Sequence, residues 1–350
     1  MKMRKKWWKK DLYMEHAEKR AKRREVIREI RRFFEEEDFT EVETPALQIC
    51  PGMEVHLKAF HTTFQEPFDD KPRDFYLHTS PELTMKKLLV AGEKRIFQLA
   101  HAFRNEERGQ THSPEFLMLE WYRTGETYEK MMEDTENIIY QCAKRIGTTT
   151  VGFNGMSADI SAPFERLSVC EAFEKYADLK LTDFLPEKSS LEPDAEPIRK
   201  SAERLGIRCF KEDRFEDIFF RIMFEKIEPF LGQNQGTILY DYPTCLGALA
   251  RRKPTDERFV ERFEAYVCGV ELCNAFSELT DVKEQEERFL HDQAMKQAIY
   301  GETYPIDTDF LEALKEGMPP CAGNAMGVDR LIMFLTHAEK IDDILWAPLG

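Results

Sequence analysis

No stretch of this 350-residue chain approaches the ~20 apolar residues that cross a bilayer; its richest apolar run is LIMFL, at 331–335. Nor does the basic start lead into an export signal. Lys9, Lys10 and Asp11 follow directly on Trp7 and Trp8, where an apolar stretch of about seven or more residues would be needed. The expected location is the cytoplasm, with no membrane partner. The eight cysteines contain no C-x-x-C, and the one histidine pair at finger spacing, His56 and His61, has no cysteine pair beside it. That excludes a zinc-finger reading and leaves reduced, mostly buried thiols. No segment repeats, so a solenoid is excluded. Positive charge is in short supply, with 50 Lys/Arg against 65 Asp/Glu and a net charge of −15, which argues against a general nucleic-acid binder. The shortage is uneven: residues 1–24 hold 11 Lys/Arg and 3 Asp/Glu, which leaves 39 against 62 elsewhere. What is present, 42% hydrophobic and 12% aromatic residues over this length, suits a soluble globular chain of one large domain or two ordinary ones.

Val26, Ile27, Ile30, Phe33 and Phe34 recur at helical spacing and predict an amphipathic helix over about 16–36. A strand at 39–43 runs into Thr44-Pro45, a polar loop spans 65–74, and a strand covers 75–78. Ser80 is the expected N-cap of a helix that has Pro81 at its first position and stops near Gly92. Strands at 95–104 and 115–123 flank the loop NEERGQTHSP as a hairpin, and 128–146 reads as helix. From about 165 to 235 the pattern is helical, broken by Pro186, Pro193 and Pro197, and is expected to be a small helical insertion. Strands follow at 236–241, 258–267 and 270–279, the last two joined at Cys268-Gly269, then a helix over 281–300. The segment CAGNAMG leads into a helix with Val328, Leu331, Ile332 and Leu335 on one face. Hairpins with helices before and after imply an α+β class, an antiparallel sheet flanked by helices.

Three patterns carry chemistry. The first hairpin places Arg104, Glu106, Arg108 and His112 about a polar loop, with Phe116, Met118, Glu120 and Tyr122 on one strand face. Cations, a carboxylate and aromatic rings together suit a ligand with a flat base and phosphates; an ordinary hairpin with a charged tip explains them as well. The second hairpin brings Glu264 and Glu271 to one face, as a divalent cation on a triphosphate requires. Asn274, Phe276 and Glu278 have the opposite parity, so a single site needs a bulge near Leu272 or Cys273. A solvated acidic face is the plain alternative. The third pattern, Gly323-x-Ala325-x-Gly327-x-x-Arg330, is a small-residue approach to a helix carrying an arginine in its first turn, which suits backbone contact with phosphate or else only a tight loop.

In this order the patterns resemble the three motifs of class II aminoacyl-tRNA synthetases: a helix and strand ending in Pro45, F-R-x-E at 103–106, and G-x-A-x-G-x-D-R at 323–330. EVETP, TSPE, FRNEE, HSPEF, LEWY, FSELTD and GVDRL resemble lysyl-tRNA synthetases and, still more, their shortened paralogues, the elongation factor P lysine ligases. PIDTDFLEALKEGMPPCAGNAMGVDRL resembles those paralogues specifically, and the likeness covers about 16–346.

The resemblance implies a class II synthetase catalytic core over 16–350 behind a basic tail at 1–15. It also implies ATP and Mg as cofactors, a lysine-type amino acid activated as its adenylate, and a homodimer formed through the first motif. Arg104 is then expected at the α-phosphate, with Arg330 as its catalytic partner cation. Glu106 would lie at adenine, Phe116 and Arg330 on the two faces of the base, and Arg108 and His112 toward the β- and γ-phosphates. Glu264 and Glu271 would hold Mg. The amino-acid pocket would use Ser80 and Glu82 at the near ammonium, Asn274 at the carboxylate, and Glu120, Tyr122 and Glu278 at the distant ammonium. The synthetases carry glycine where Ala325 stands; the added methyl narrows the pocket and favours β-lysine over lysine. Ala275, where both groups usually have glycine before Phe276, bears on pocket shape. With the first motif starting near residue 16, no anticodon-binding barrel is expected. Elongation factor P is therefore the expected acceptor, and tRNA is not; a tRNA-charging paralogue or an idle regulatory one are the alternatives.

Overall fold

The helix expected from Val26, Ile30 and Phe34 is present in the computed structural model, which describes residues 6–68, 71–161 and 163–349. It runs Ala17–Glu36 and buries those three side chains completely. Phe34 stacks on Phe97 with 4.6 Å between ring centroids and leans on Trp121, so the helix seals the back of a large sheet. Residues 1–5 of the basic leader lie outside the described residues. The rest of the leader is ordered in part: Lys10–Met14 forms a short helix, held by Arg20, whose guanidinium lies 3.7 Å from the Tyr13 ring centroid and donates to the Tyr13 carbonyl.

Among the described residues nine strands form that sheet: β1 Thr40–Glu41, β2 Arg95–Phe103, β3 Glu115–Thr124, β4 Glu165–Ser168, β5 Thr237–Pro243, β6 Arg252–Lys253, β7 Asp256–Val267, β8 Val270–Ser277 and β9 Cys321–Gly327. Their order is β1-β2-β3-β9-β8-β7-β5-β4, with β6 beside β7. The interior is antiparallel, built from the two expected hairpins; the edge pairs β1–β2 and β4–β5 are parallel. Between β7 and β8, Cys268 and Gly269 both take positive φ, 51° and 72°, the geometry of a two-residue turn whose twist matches the strands. Leu119, Trp121, Phe263, Ala265 and Cys273 face the back, where helices Tyr128–Arg145 and Val328–Leu335 complete the main core. The class is α+β. All eight cysteines are free, and among the described residues no helix is long and apolar enough to cross a membrane.

Several elements differ from the sequence expectation. CAGNAMG is not a loop but β9, lying between β3 and β8. Its lack of branched and aromatic residues hid the strand, and its smallness is imposed by the neighbours: a Cβ on Gly323 would lie 2.3 Å from the Tyr122 ring and 2.6 Å from Glu278 Oε1. The polar stretch 65–74 is shorter than expected, because Arg73–Leu77 pairs with Phe60–Phe64 in a separate three-stranded sheet. The helix after Ser80 starts one residue late, at Glu82, although the Ser80 hydroxyl still accepts from the Glu82 N–H at 3.1 Å. The 165–235 segment opens with β4, whose parallel pairing to β5 overrides its helical pattern; Val169–Ala177, Ala195–Arg204 and Phe215–Ile222 then enclose a second core around Phe173 and Phe219. A hairpin, Thr150–Phe153 with Met156–Asp159, and a helix, Thr308–Gly317, were not foreseen.

Candidate active site

Sheet register builds a cleft of about 250 Å³ on the front face. Across β3, β9, β8 and β7, Glu120, Ala325, Asn274 and Glu264 stand opposite one another, and the next row is Tyr122, Gly323, Phe276 and Arg262. Large side chains from the outer strands thus reach over a floor of small ones. The bulge required by parity is present: Ala265 opposes Cys273 while Tyr266 opposes Glu271, so Leu272 is the extra residue. It turns into the core and leaves Glu271 and Asn274, three positions apart, on the cleft.

At the closed end, Glu120 is almost wholly buried and accepts from Tyr122 Oη at 2.5 Å and Ser80 Oγ at 2.8 Å. Burial, aided by the nearby Glu82 charge, pushes its carboxyl up to about 8. Glu278 is equally buried, and burial raises it to about 8 against the pull of Lys86. Lys86 Nζ sits 2.5 Å from both Glu82 Oε1 and Glu278 Oε2. Burial opposes its charge, yet the two carboxylates override that and hold it above the ordinary lysine range. Two carboxylates therefore share one ammonium, and Glu120 feels its charge without pairing to it. Asn274 Oδ1 accepts from Arg262 Nε at 2.9 Å, which aims the amide's N–H groups away from Arg262 and frees them for an acceptor in the cleft.

At the open end, the Arg104 guanidinium lies 5.2 Å from the Phe116 ring centroid. Arg330 donates to the Glu271 carbonyl at 3.0 Å and to His112 Nε2 at 2.6 Å. Burial and then the Arg330 charge hold His112 below its ordinary value, consistent with a neutral, accepting imidazole. Glu264 accepts from Tyr242 and Tyr266 at 2.6 and 2.7 Å and from Arg262 at 2.7 Å. Glu271 is raised by burial and by Glu264, and behind them Glu228 is pushed to about 7 by burial and by both. Repelling carboxylates of this kind fit a divalent cation. Among the described residues no group of three or more His, Cys, Asp or Glu is arranged to hold a metal, and Mg characteristically takes one or two carboxylates with substrate phosphates supplying the rest. Glu264 and Glu271 fit that pattern.

The cleft brings together Ser80, Glu82, Arg104, His112, Phe116, Glu120, Tyr122, Glu264, Glu271, Asn274, Glu278, Ala325 and Arg330. It does not bring Glu106 or Arg108. Glu106 turns outward to Lys58 at 2.8 Å, and Arg108 pairs with Asp342 at 3.3 Å; the carboxylate of this loop that lines the cleft is Glu107. Sequence reasoning missed Glu107, Lys86, Arg262 and Glu54. Two of these carried a signal: Lys86 lies four positions after Glu82 on one helix face, and Arg262 shares the strand parity of Glu264.

The model of the tRNA synthetases class II (D, K and N) family matches residues 2–349. The chain is 37% identical over 328 residues to an elongation factor P–(R)-β-lysine ligase of Salmonella arizonae and 38% identical over 328 residues to that of Erwinia tasmaniensis, in each case covering 93% of both chains. It is 37% identical over 333 residues to the ligase of that name from Yersinia enterocolitica, covering 94% of both. The chain belongs to the class II tRNA synthetase family and, within it, to the group of the elongation factor P–(R)-β-lysine ligases.

Proposed function

We propose that this chain is an ATP-dependent ligase that activates lysine or (R)-β-lysine as its adenylate and transfers the acyl group to a lysine side chain of elongation factor P, as a homodimer in the cytoplasm. One observation carries this reading: Glu82, Glu120 and Glu278 line the closed end of the cleft, and among the described residues the cation paired with them is Lys86, on Glu82 and Glu278. Buried carboxylates need paired cations. A substrate with two ammonium groups and a carboxylate supplies the two that are missing and places its carboxylate at the Asn274 amide.

Glu82 and Ser80 take the near ammonium; Glu120, Tyr122 and Glu278 take the distant one. A carboxylate oxygen of the substrate then attacks the α-phosphorus of ATP and pyrophosphate leaves. Arg104 meets the charge that builds on the phosphoryl oxygens, Phe116 and Arg330 hold the base, and His112 faces the outer phosphates. Glu264 and Glu271 would hold Mg, which would supply charge neutralisation. Glu106 and Arg108 join the nucleotide side by swinging inward; their exposed ion pairs are worth little and cost little to break. The Ala325 methyl narrows the floor and favours the β isomer. No protein nucleophile is required, because the acceptor brings its own amine.

The test is pyrophosphate exchange with lysine, with (R)-β-lysine and with no amino acid, followed by the mass added to elongation factor P on co-expression. Exchange driven by one of the two amino acids and an acyl adduct on the factor are expected; exchange with neither overturns the reading.

A pH dependence follows from Glu120 and Glu278. With carboxyls near 8 in the empty pocket, binding an ammonium group expels a proton. Affinity for the amino acid should therefore rise with pH, by about tenfold per unit below about pH 8 for one displaced proton, and level off above it. Calorimetry in two buffers of different ionisation enthalpy measures that proton directly. Binding without proton release would remove these carboxyls from the pocket's chemistry.

A further inference from the structure

A second cavity, of about 360 Å³, meets the cleft at Glu54, Ser80, Glu82 and Asn274. We propose that it is the path by which the acceptor's lysine side chain reaches the adenylate, and that Glu54 at the junction takes the proton its ammonium must lose. This rests on the ligase reading above.

The cavity has the chemistry of such a path. Leu83, Leu246, Phe289 and Met295 give it apolar walls suited to a four-carbon stem, and Glu216 and Asp292 add carboxylates, the first beside His56 and Arg214 and the second beside His291. Its rim reaches His56 and Phe220, which are exposed. It lies between the central sheet, the helix Val282–Tyr300 and Phe215–Ile222, so a protein acceptor approaching from outside need not displace the nucleotide.

Glu54 is placed for the chemistry. Its Oε2 is shielded from solvent and among the described residues has no hydrogen-bond partner, and no ion pair holds the carboxylate, whereas Glu120 is held by Tyr122 and Ser80 and both Glu82 and Glu278 by the Lys86 ammonium. Room for it is made by Gly52, where a Cβ would lie 2.6 Å from that oxygen; with φ at 144° the position favours glycine on both counts. The charged groups about it are Glu82 and Arg104 on the cleft side and Asp292 and Lys296 on the helix, with the Cys50 thiol on its own segment. Because Glu82 receives the substrate's near ammonium and Arg104 the α-phosphate, a carboxylate facing both flanks the carbonyl that joins them. Burial first, and then the Glu82 charge, raise the Glu54 carboxyl above the usual range, which suits a group that must accept a proton.

The step balances as follows. The ammonium gives one proton to Glu54, and the freed nitrogen lone pair forms the C–N bond at the adenylate carbonyl. The C–O bond to the phosphate breaks, and AMP departs with its electron pair. The second proton on nitrogen passes to the leaving phosphate or to water, and Glu54 returns its own to solvent.

Glu54→Gln keeps shape and removes the base. Pyrophosphate exchange should fall by no more than a few-fold, while single-turnover transfer from preformed adenylate to elongation factor P falls by about 100-fold. Transfer to hydroxylamine, already an uncharged nucleophile at neutral pH, should persist, and Glu54→Asp should recover part of the protein transfer. Equal losses with both acceptors, an equal loss of exchange, or unimpaired transfer would each overturn the proposal. Absence of exchange in the unsubstituted protein would instead overturn the ligase reading on which it rests.

Discussion

Arg104→Ala is expected to lower amino-acid-dependent pyrophosphate exchange by about a thousandfold or more while the protein stays folded. The magnitude is that of a fixed cation lost from a phosphoryl-transfer site, where charge grows on oxygens that water no longer reaches. The folded state should tolerate the change, because Arg104 is a rim residue with weak partners: the Thr79 carbonyl at 3.5 Å and Glu107 at 4.0 Å. Arg104→Lys should recover little, since a point charge cannot replace the planar fork. Exchange kinetics and a thermal melt on the same preparation separate the two effects. Retained exchange would remove Arg104 from the α-phosphate.

Lys86→Met should damage the fold itself. Methionine nearly matches the stem in shape, but Glu82 and Glu278 lose the ammonium that lies 2.5 Å from each. Removing one partner of a buried ion pair costs about 3–5 kcal/mol, and here the partner serves two carboxylates. The Glu278 carboxyl, which burial already raises to about 8, rises further without its cation, so the unfolded chain, whose carboxyls ionise at ordinary values, gains on the folded one as pH increases. The deficit should therefore be larger at about pH 8.5 than at about pH 6, read from denaturant midpoints at both. A loss under about 1 kcal/mol at both pH values would show that the ammonium is not the pocket's counter-charge. Amino-acid binding should fail in the same variant, because Glu278 loses the group that fixes its orientation.

The fold and much of the site were legible where periodicity and parity speak. Alternation along β3 placed Phe116, Met118, Glu120 and Tyr122 on one face, and the clash of parity between Glu271 and Asn274 called for a bulge that the structure has at Leu272. The misreadings have physical causes. β9 was hidden because its residues are chosen for what stands over them rather than for the strand; the Tyr122 ring and Glu278 leave no room at Gly323. Glu106 and Arg108 sit on a loop whose direction no periodicity sets, with Glu106 at a positive φ of 66°. Glu54 lies in an irregular stretch between strands, so its neighbours Glu82, Arg104 and Asp292 come from parts of the chain that only tertiary structure assembles.

Asp329 ties the long helix Ala17–Glu36 to the cleft. Asp329 forms a buried ion pair with Arg23 of that helix, and its other oxygen accepts from the Leu117 N–H at 2.9 Å, on the strand that carries Phe116. The next residue, Arg330, spans to Glu271 and His112. The pose of the helix and the setting of the open end of the cleft thus meet at Asp329, beside the packing of Phe34 on Phe97 and Trp121. If Asp329 shifts with either, whatever docks against the outer face of the helix and whatever lies against Arg330 would be linked, and the work each does on the other would be equal in both directions.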